Sequence, residues 1–232
     1  MLVARDGADR RELVASSNSL PTEVLAGRSL FYAATDRRIA AWGLSCAGCH
    51  PDGRDDGLTW FLRQGPRQTP SLSGRLVAPF NWNGSQPTMS GNLAQTLRRL
   101  GGHGLPVEDF NALKGFVEHA LPPATRAAPT EDAAVARGRE VFLQAGCAGC
   151  HDPERACTDG RRHVLGGLRG DEAVRAFDTP SLHNVRYTAP YFHDGRYETL
   201  DAMLADGVNR MGDLRGVGPD DRRALLHFLE TL

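Results

Sequence analysis

Lysine is all but missing from this chain: Lys114 is the single lysine among 27 basic residues, and arginine supplies the rest. Acidic residues number 28, so the formal net charge is −1. No basic run disturbs that balance, which argues against nucleic acid or an anionic membrane surface as a partner. Long apolar runs are absent as well, and those present are far too short to cross a bilayer. Residues Met1 to Pro21 carry charges throughout and contain no apolar stretch of signal length. Within them, Leu2–Gly7 and Glu12–Ala15 read as a short hairpin about an Asp-Gly turn, which we take as the close of an upstream β domain in a longer polypeptide.

Cysteine is scarce too, and four of the five are placed alike. Cys46-Ala47-Gly48-Cys49-His50 and Cys147-Ala148-Gly149-Cys150-His151 are two CxxCH pentapeptides, the attachment signature of c-type haem. Two cysteines three positions apart lie on one side of a helical turn, where their thiols reach the two vinyl groups of one porphyrin. The histidine that follows presents a neutral imidazole nitrogen to iron, so His50 and His151 are the expected axial ligands. A zinc ribbon places its second CxxC about 15–20 residues after the first. Here the motifs begin 101 residues apart, and each has the trailing histidine that a ribbon or a thioredoxin-like pair does not need. Cys157 is left over and reads as a free structural thiol. Two covalent haems mean redox chemistry, and haem c is attached on the exported side of a bacterial membrane. A periplasmic or otherwise exported protein is therefore expected. The arginine excess suits haem propionates, because the guanidinium fork matches a carboxylate; it is equally explained by genomic composition.

The chain repeats itself. Gly27-Arg28-Ser29-Leu30-Phe31 corresponds to Gly138-Arg139-Glu140-Val141-Phe142, and Thr69-Pro70-Ser71-Leu72 to Thr179-Pro180-Ser181-Leu182. Ala78-Pro79-Phe80-Asn81-Trp82-Asn83-Gly84 recurs as Ala189-Pro190-Tyr191-Phe192-His193-Asp194-Gly195. Each half closes with an amphipathic helix, Glu108–Ala120 and Asp220–Leu232. Pro122-Pro123 and Pro129 mark the linker. The expected fold is mostly α: two tandem cytochrome c-like domains with long irregular loops and little strand. Their bounds are 23–124 and 125–232, after an N-terminal extension over 1–22.

On these motifs the chain resembles the bacterial di-haem cytochrome c peroxidase and MauG-type family. The likeness is sharpest over Phe177-Asp178-Thr179-Pro180-Ser181-Leu182-His183-Asn184-Val185 and on through Ala189-Pro190-Tyr191-Phe192-His193-Asp194-Gly195. The resemblance implies two domains facing each other, one haem storing an electron and the other meeting peroxide or substrate. It also implies a distal ligand for the second haem between the His-Asp-Gly segment and the last helix. Met211, in the polar loop Asn209-Arg210-Met211-Gly212-Asp213, is our choice, because an apolar side chain has no packing reason there. Met203 competes, but it shares a helical stripe with Leu200 and Leu204 and reads as core.

For the first haem, the repeat pairs Arg99-Leu100-Gly101 with Arg210-Met211-Gly212, so leucine stands in the place of the ligating methionine. His103, in a glycine-rich loop, is the candidate sixth ligand, with a vacant position as the other reading; His119 reads as a helix-surface histidine. The family's peroxidatic haem usually has a distal histidine, yet none occurs between His50 and His103, and Trp60 falls near its place. Between Gly84 and Val107 there is no Asp or Glu to move a proton on the distal side. Trp82 matches a family tryptophan between the haems, so it is a candidate electron relay as well as interface packing. His193 reads as a group that hydrogen-bonds a propionate or backbone. The family often binds calcium between its domains; Thr188 and Pro190 offer carbonyls, but Gln68 replaces the expected asparagine, and calcium is not assigned.

The leading expectation is a di-haem cytochrome that passes single electrons between redox-protein partners. The alternative is a peroxidase or MauG-like oxidase with the first haem as its reactive centre and peroxide as a co-substrate. A sensory or structural haem module is the weakest reading.

Overall fold

A computed structural model describes residues 20–121, 132–170 and 172–232. The expected N-terminal hairpin and the proline-rich linker lie outside the described residues. The first half runs α1 (Thr22–Tyr32), α2 (Cys46–Cys49), β1 (Thr59–Leu62), β2 (Gly65–Gln68), α3 (Met89–Arg99) and α4 (Val107–His119). The second runs α5 (Ala133–Gln144), β3 (Arg162–Val164), β4 (Ala176–Asp178), α6 (Leu200–Ala205) and α7 (Pro219–Glu230). Its CxxCH segment is a single 3-10 turn, Cys147–Gly149, where the first half has the short helix α2. Among the described residues helix predominates, and the strands form two small antiparallel hairpins, β1–β2 and β3–β4.

Each half is built on one close helix crossing. In α1, a Cβ added at Gly27 would lie 1.9 Å from the carbonyl oxygen of Ala112 on α4. In α5, the same addition at Gly138 would lie 2.0 Å from the carbonyl of Ala224 on α7. Glycine inside a helix costs about 0.5–1 kcal/mol relative to alanine; here it lets two backbones touch. One turn later the aromatic rings take over, Phe31 against Phe116 at 5.3 Å and Phe142 against Phe228 at 5.4 Å. Around these crossings sit two separate apolar clusters. The first gathers Phe31, Ile39, Leu97 and Leu113; the second gathers Phe142, Leu200, Leu225 and Phe228. Each fully buried side chain of this size contributes roughly 1.5–3 kcal/mol.

Local signals repeat with the same fidelity. Thr88 accepts the backbone N–H of Gly91 at 3.1 Å to open α3, and Thr199 accepts that of Ala202 at 3.0 Å to open α6. Phe80 bridges Gln86 as Tyr191 bridges Tyr197.

The halves meet about an approximate twofold relation. Gln68 N–H donates to the carbonyl of His193 at 2.8 Å, and Asp178 N–H donates to the carbonyl of Trp82 at 2.9 Å. By the repeat these are the same contact made twice. A Cβ on Gly57 would meet the Ala189 carbonyl at 3.8 Å, and one on Gly160 would meet the Ala78 carbonyl at 3.4 Å. Asp-Gly steps at both places bring loop backbone against the Ala-Pro segment of the opposite half.

Candidate cofactor cleft between the halves

Between the halves lies one continuous cavity of about 1050 Å³. That is at the upper end of the range of about 300–1,000 Å³ typical of small-molecule sites. Cys49 and His50 line it from one half, and Cys147, Cys150 and His151 from the other. None of the five cysteines is in a disulfide. In both pentapeptides the histidine N–H donates to the carbonyl of the first cysteine, at 2.8 Å for His50 and 2.9 Å for His151. This bond closes the turn. In the second motif both thiols and the imidazole line the cavity, whereas in the first Cys46 packs on the apolar cluster and Cys49 and His50 line it. Burial pushes the Cys46 and Cys147 thiols up to about 11, so both are neutral thiols at physiological pH.

The two imidazoles are oriented in the same way. His50 Nδ1 lies 3.2 Å from the carbonyl of Arg54, and His151 Nδ1 lies 3.1 Å from that of Cys157. A carbonyl only accepts, so the proton sits on Nδ1 and Nε2 keeps its lone pair. Metal-bound histidines are commonly held this way. Burial holds both rings below the usual histidine value and keeps them neutral, as a ligand must be. Free thiols, paired imidazoles and an apolar-walled cleft fit covalently bound porphyrin. Cys157, read from sequence as a structural thiol, serves the site through its backbone carbonyl. Cys150 Sγ also lies with Asp159 and His163 in a cluster whose ligand atoms are within 4.8 Å of one another. Thioether formation would consume that sulfur.

Opposite the second motif, the loop carrying Met211 is pinned. Met211 N–H donates to Asn209 Oδ1 at 2.9 Å, and the buried Asn209 amide reaches the Met203 carbonyl at 2.6 Å. Asp213 N–H donates to the Ala145 carbonyl at 2.9 Å, and the Cys147 thiol approaches the Met211 carbonyl at 3.7 Å. Met211 and Met203 both line the cavity. Both also pack on the second core, so neither is a surface methionine.

Opposite the first motif the arrangement differs. Leu100 and Arg99 line the cavity, and His103 does not. His103 is exposed, with its N–H on the Arg37 carbonyl at 3.2 Å. The cause is its neighbour: a Cβ on Gly102 would meet the Ile39 carbonyl at 2.4 Å, so the loop lies flat on residues 38–39 and turns His103 outward. The candidate ligand is thus not brought to the cleft. Asp178 is the only acidic side chain among the cavity-lining residues described.

Trp60, on β1, donates its indole N–H to Asp56 at 3.0 Å and Thr69 at 3.1 Å. Its counterpart is His163, whose Nε2 lies 2.7 Å from Asp159. In each case an Asp-Gly step stands four residues before the ring, a signal readable in the sequence. Trp82 lines the cleft and donates its indole N–H to the Gln68 carbonyl at 2.7 Å. Nothing local in the sequence signalled the buried ion pair beside it, Arg67 with Glu172, whose partners are 105 residues apart. Arg75 was missed too; it lines the cleft and donates to the Ser181 carbonyl. Thr188 and Pro190 lie on the same wall, and the Gln68 side-chain nitrogen is buried without a partner.

Two helical lobes, each closing a CxxCH turn onto one cleft, define a protein with a cytochrome c-like fold. The model of the family described as di-haem cytochrome c peroxidase matches residues 142–224. The methylamine utilization protein MauG of Methylorubrum extorquens is 29% identical over 91% of this chain and 78% of its own length. Among solved structures, the diheme peroxidase BthA of Burkholderia thailandensis shares the fold at a TM-score of 0.66 and 16% identity, over 91% of this chain and 86% of its own. Hydrazine synthase of Kuenenia stuttgartiensis matches at a TM-score of 0.75 and 20% identity, covering 100% of this chain and 99% of that one. The second half of the chain matches the di-haem cytochrome c peroxidase family, and the chain is similar over most of its length to MauG-type proteins. That family implies covalently bound haem c and a peroxidase-like oxidoreductase chemistry. No described helix is long and apolar enough to cross a membrane.

Proposed function

We propose that this chain is a di-haem oxidoreductase of an exported compartment, with one haem c at each CxxCH motif and one cytochrome c domain around each, 23–124 and 125–232. The bound haem supplies an iron that changes charge by one electron and takes a small ligand wherever an axial position is free. In the second half, His151 and Met211, both on the cavity wall, would hold the iron, which suits a relay that exchanges electrons with a redox-protein partner. In the first half, His50 would hold the iron, and among the described cavity-lining residues no methionine or second histidine of that half accompanies it, which suits a reactive centre for peroxide or a similar small oxidant. Trp82, on the cleft wall, is the residue through which an electron passes between the two.

The carrying observation is the pair Leu100 and His103. The first lies on the cleft wall where the second half has Met211; the second lies outside the cleft. Leucine excludes water without ligating. On the same wall Asn92 offers a buried side-chain oxygen with no hydrogen-bond partner, and Arg98 and Arg99 supply positive charge from α3. Asn92 could accept a hydrogen bond from a small ligand and either arginine could donate one; none of them takes up a proton, the task that general acid–base chemistry gives to a carboxylate or histidine.

The second reading is electron transfer alone. It is favoured by the lack of a carboxylate on the first-half wall of the cleft. Ferric EPR and absorption spectra, followed by rapid mixing with hydrogen peroxide, separate the two. A high-spin first centre that reacts with peroxide supports the enzyme. Two low-spin centres inert to peroxide leave electron transfer, and a colourless exported protein refutes both.

A further inference from the structure

His193 has one ring nitrogen engaged and the other without a partner, in a place where water has almost no access. The residue is 1% exposed. Its ring lies flat on Phe177 at 4.0 Å, with Phe192 at 4.7 Å. Nε2 is 3.1 Å from Glu172 Oε2. Glu172 is an ionised acceptor: burial pushes its carboxyl up, but Arg67 and the Val174 N–H outweigh burial and hold it below the usual value. Arg67 grips both its oxygens, at 2.8 and 2.9 Å. The proton of neutral His193 is therefore on Nε2. Nδ1 presents a bare lone pair, is buried and unpaired, and belongs to a residue of the cleft wall.

We infer that His193 Nδ1 is a proton-binding site facing a carboxylate of the haem in the cleft, and that it takes up a proton when the neighbouring iron is reduced. The inference rests on the haem reading above. A lone pair against a propionate carboxylate is repulsive; a proton between them makes a charge-assisted hydrogen bond. The charges facing His193 are otherwise balanced. Arg67 cancels Glu172, and Arg196 holds Asp194 through two oxygens, each at 2.9 Å from its Nε. Burial, with the Arg67 charge adding to it, keeps the imidazole neutral, down at about 4, against the opposing pull of Asp194 and Glu172. The state is thus set by the cleft. When a redox-protein donor delivers one electron to ferric iron, the net positive charge near the ring falls by one; one proton from solvent on Nδ1 restores it, and no covalent bond other than N–H forms. In a poorly solvated interior that coupling is strong. The first half has no such group, because Trp82 stands at the matching place with its N–H already donated to Gln68.

The test uses the holoprotein: spectroelectrochemical potentials of both haems from acid to mildly alkaline pH, in wild type, His193→Gln and Glu172→Gln. In wild type, one haem loses potential as pH rises, approaching one proton per electron between the pKa of the oxidised and the reduced state. His193→Gln flattens that slope and leaves the pH response of the other haem unchanged. Glu172→Gln removes the negative neighbour, weakens proton binding and moves the sloping window to lower pH. A slope retained in His193→Gln, two flat potentials in wild type, or an unmoved window in Glu172→Gln overturns the inference. If His193→Gln fails to hold haem, the Glu172→Gln arm decides. Loss of all haem absorption in wild type would instead refute the proposed function, so the two failures are told apart.

Discussion

Leu100 and Met211 stand at matching places in the two halves, as do Trp82 and His193, and Gln68 and Asp178. Around them the halves agree closely: the glycine crossings, the threonine caps, the histidine-to-carbonyl bonds and the backbone pairing across the interface are each made twice. The scaffold is duplicated and the chemistry is not. Among the side chains that face the cleft, Leu100 against Met211 and Trp82 against His193 differ while these shared contacts are kept.

The largest way to break the comparison is to delete one motif. The double substitution Cys46→Ala, Cys49→Ala is expected to halve covalent haem, leaving one macrocycle per chain by mass under denaturing conditions. Swapping the distal residues sharpens it next. Met211→Leu is expected to convert the second centre to a high-spin species in ferric EPR, and Leu100→Met to shift the first toward low spin. A low-spin signal unchanged in Met211→Leu would transfer the assignment to Met203, which lies on the same wall.

Smaller effects test whether the scaffold is as equivalent as it looks. Gly27→Ala and Gly138→Ala each force a methyl into a carbonyl at about 2 Å. Overpacking of this kind costs roughly 1–3 kcal/mol, and the two drops in thermal midpoint are expected to be similar. The smallest effect concerns Asp178, whose carboxyl burial pushes up to about 7, with Asp159 adding to the rise. The folded state then binds the extra proton between about 4 and 7, so this residue lowers stability as pH rises through that window. Asp178→Asn removes the loss. Its denaturation midpoint should exceed wild type at pH above 7 and match it near pH 4.

Much of this was legible because the motifs are local. A CxxCH turn needs five residues, and a repeat is recognised by its own recurrence. Helix ends were legible to within two residues, Glu108–Ala120 against Val107–His119 and Asp220–Leu232 against Pro219–Glu230. What escaped depends on tertiary contact. The Arg67–Glu172–His193 network joins three distant segments, and no periodicity marks it. His103 was misdirected because a flexible-looking glycine loop is in fact pressed flat by the Ile39 backbone at Gly102. Cys157 was judged by its side chain, whereas the peptide carbonyl is the part that meets His151.

Residues of both halves line the cleft. Gln68 is bound to His193 and Asp178 to Trp82, so each lobe finishes the other's chamber. Although the sequence repeats one unit, that unit is not expected to serve as a minimal cytochrome when excised. Cutting the chain between the lobes would lay open two greasy, half-built hollows of the kind that drive proteins to clump. Duplication here therefore did not yield a spare; it yielded two parts that are only whole together.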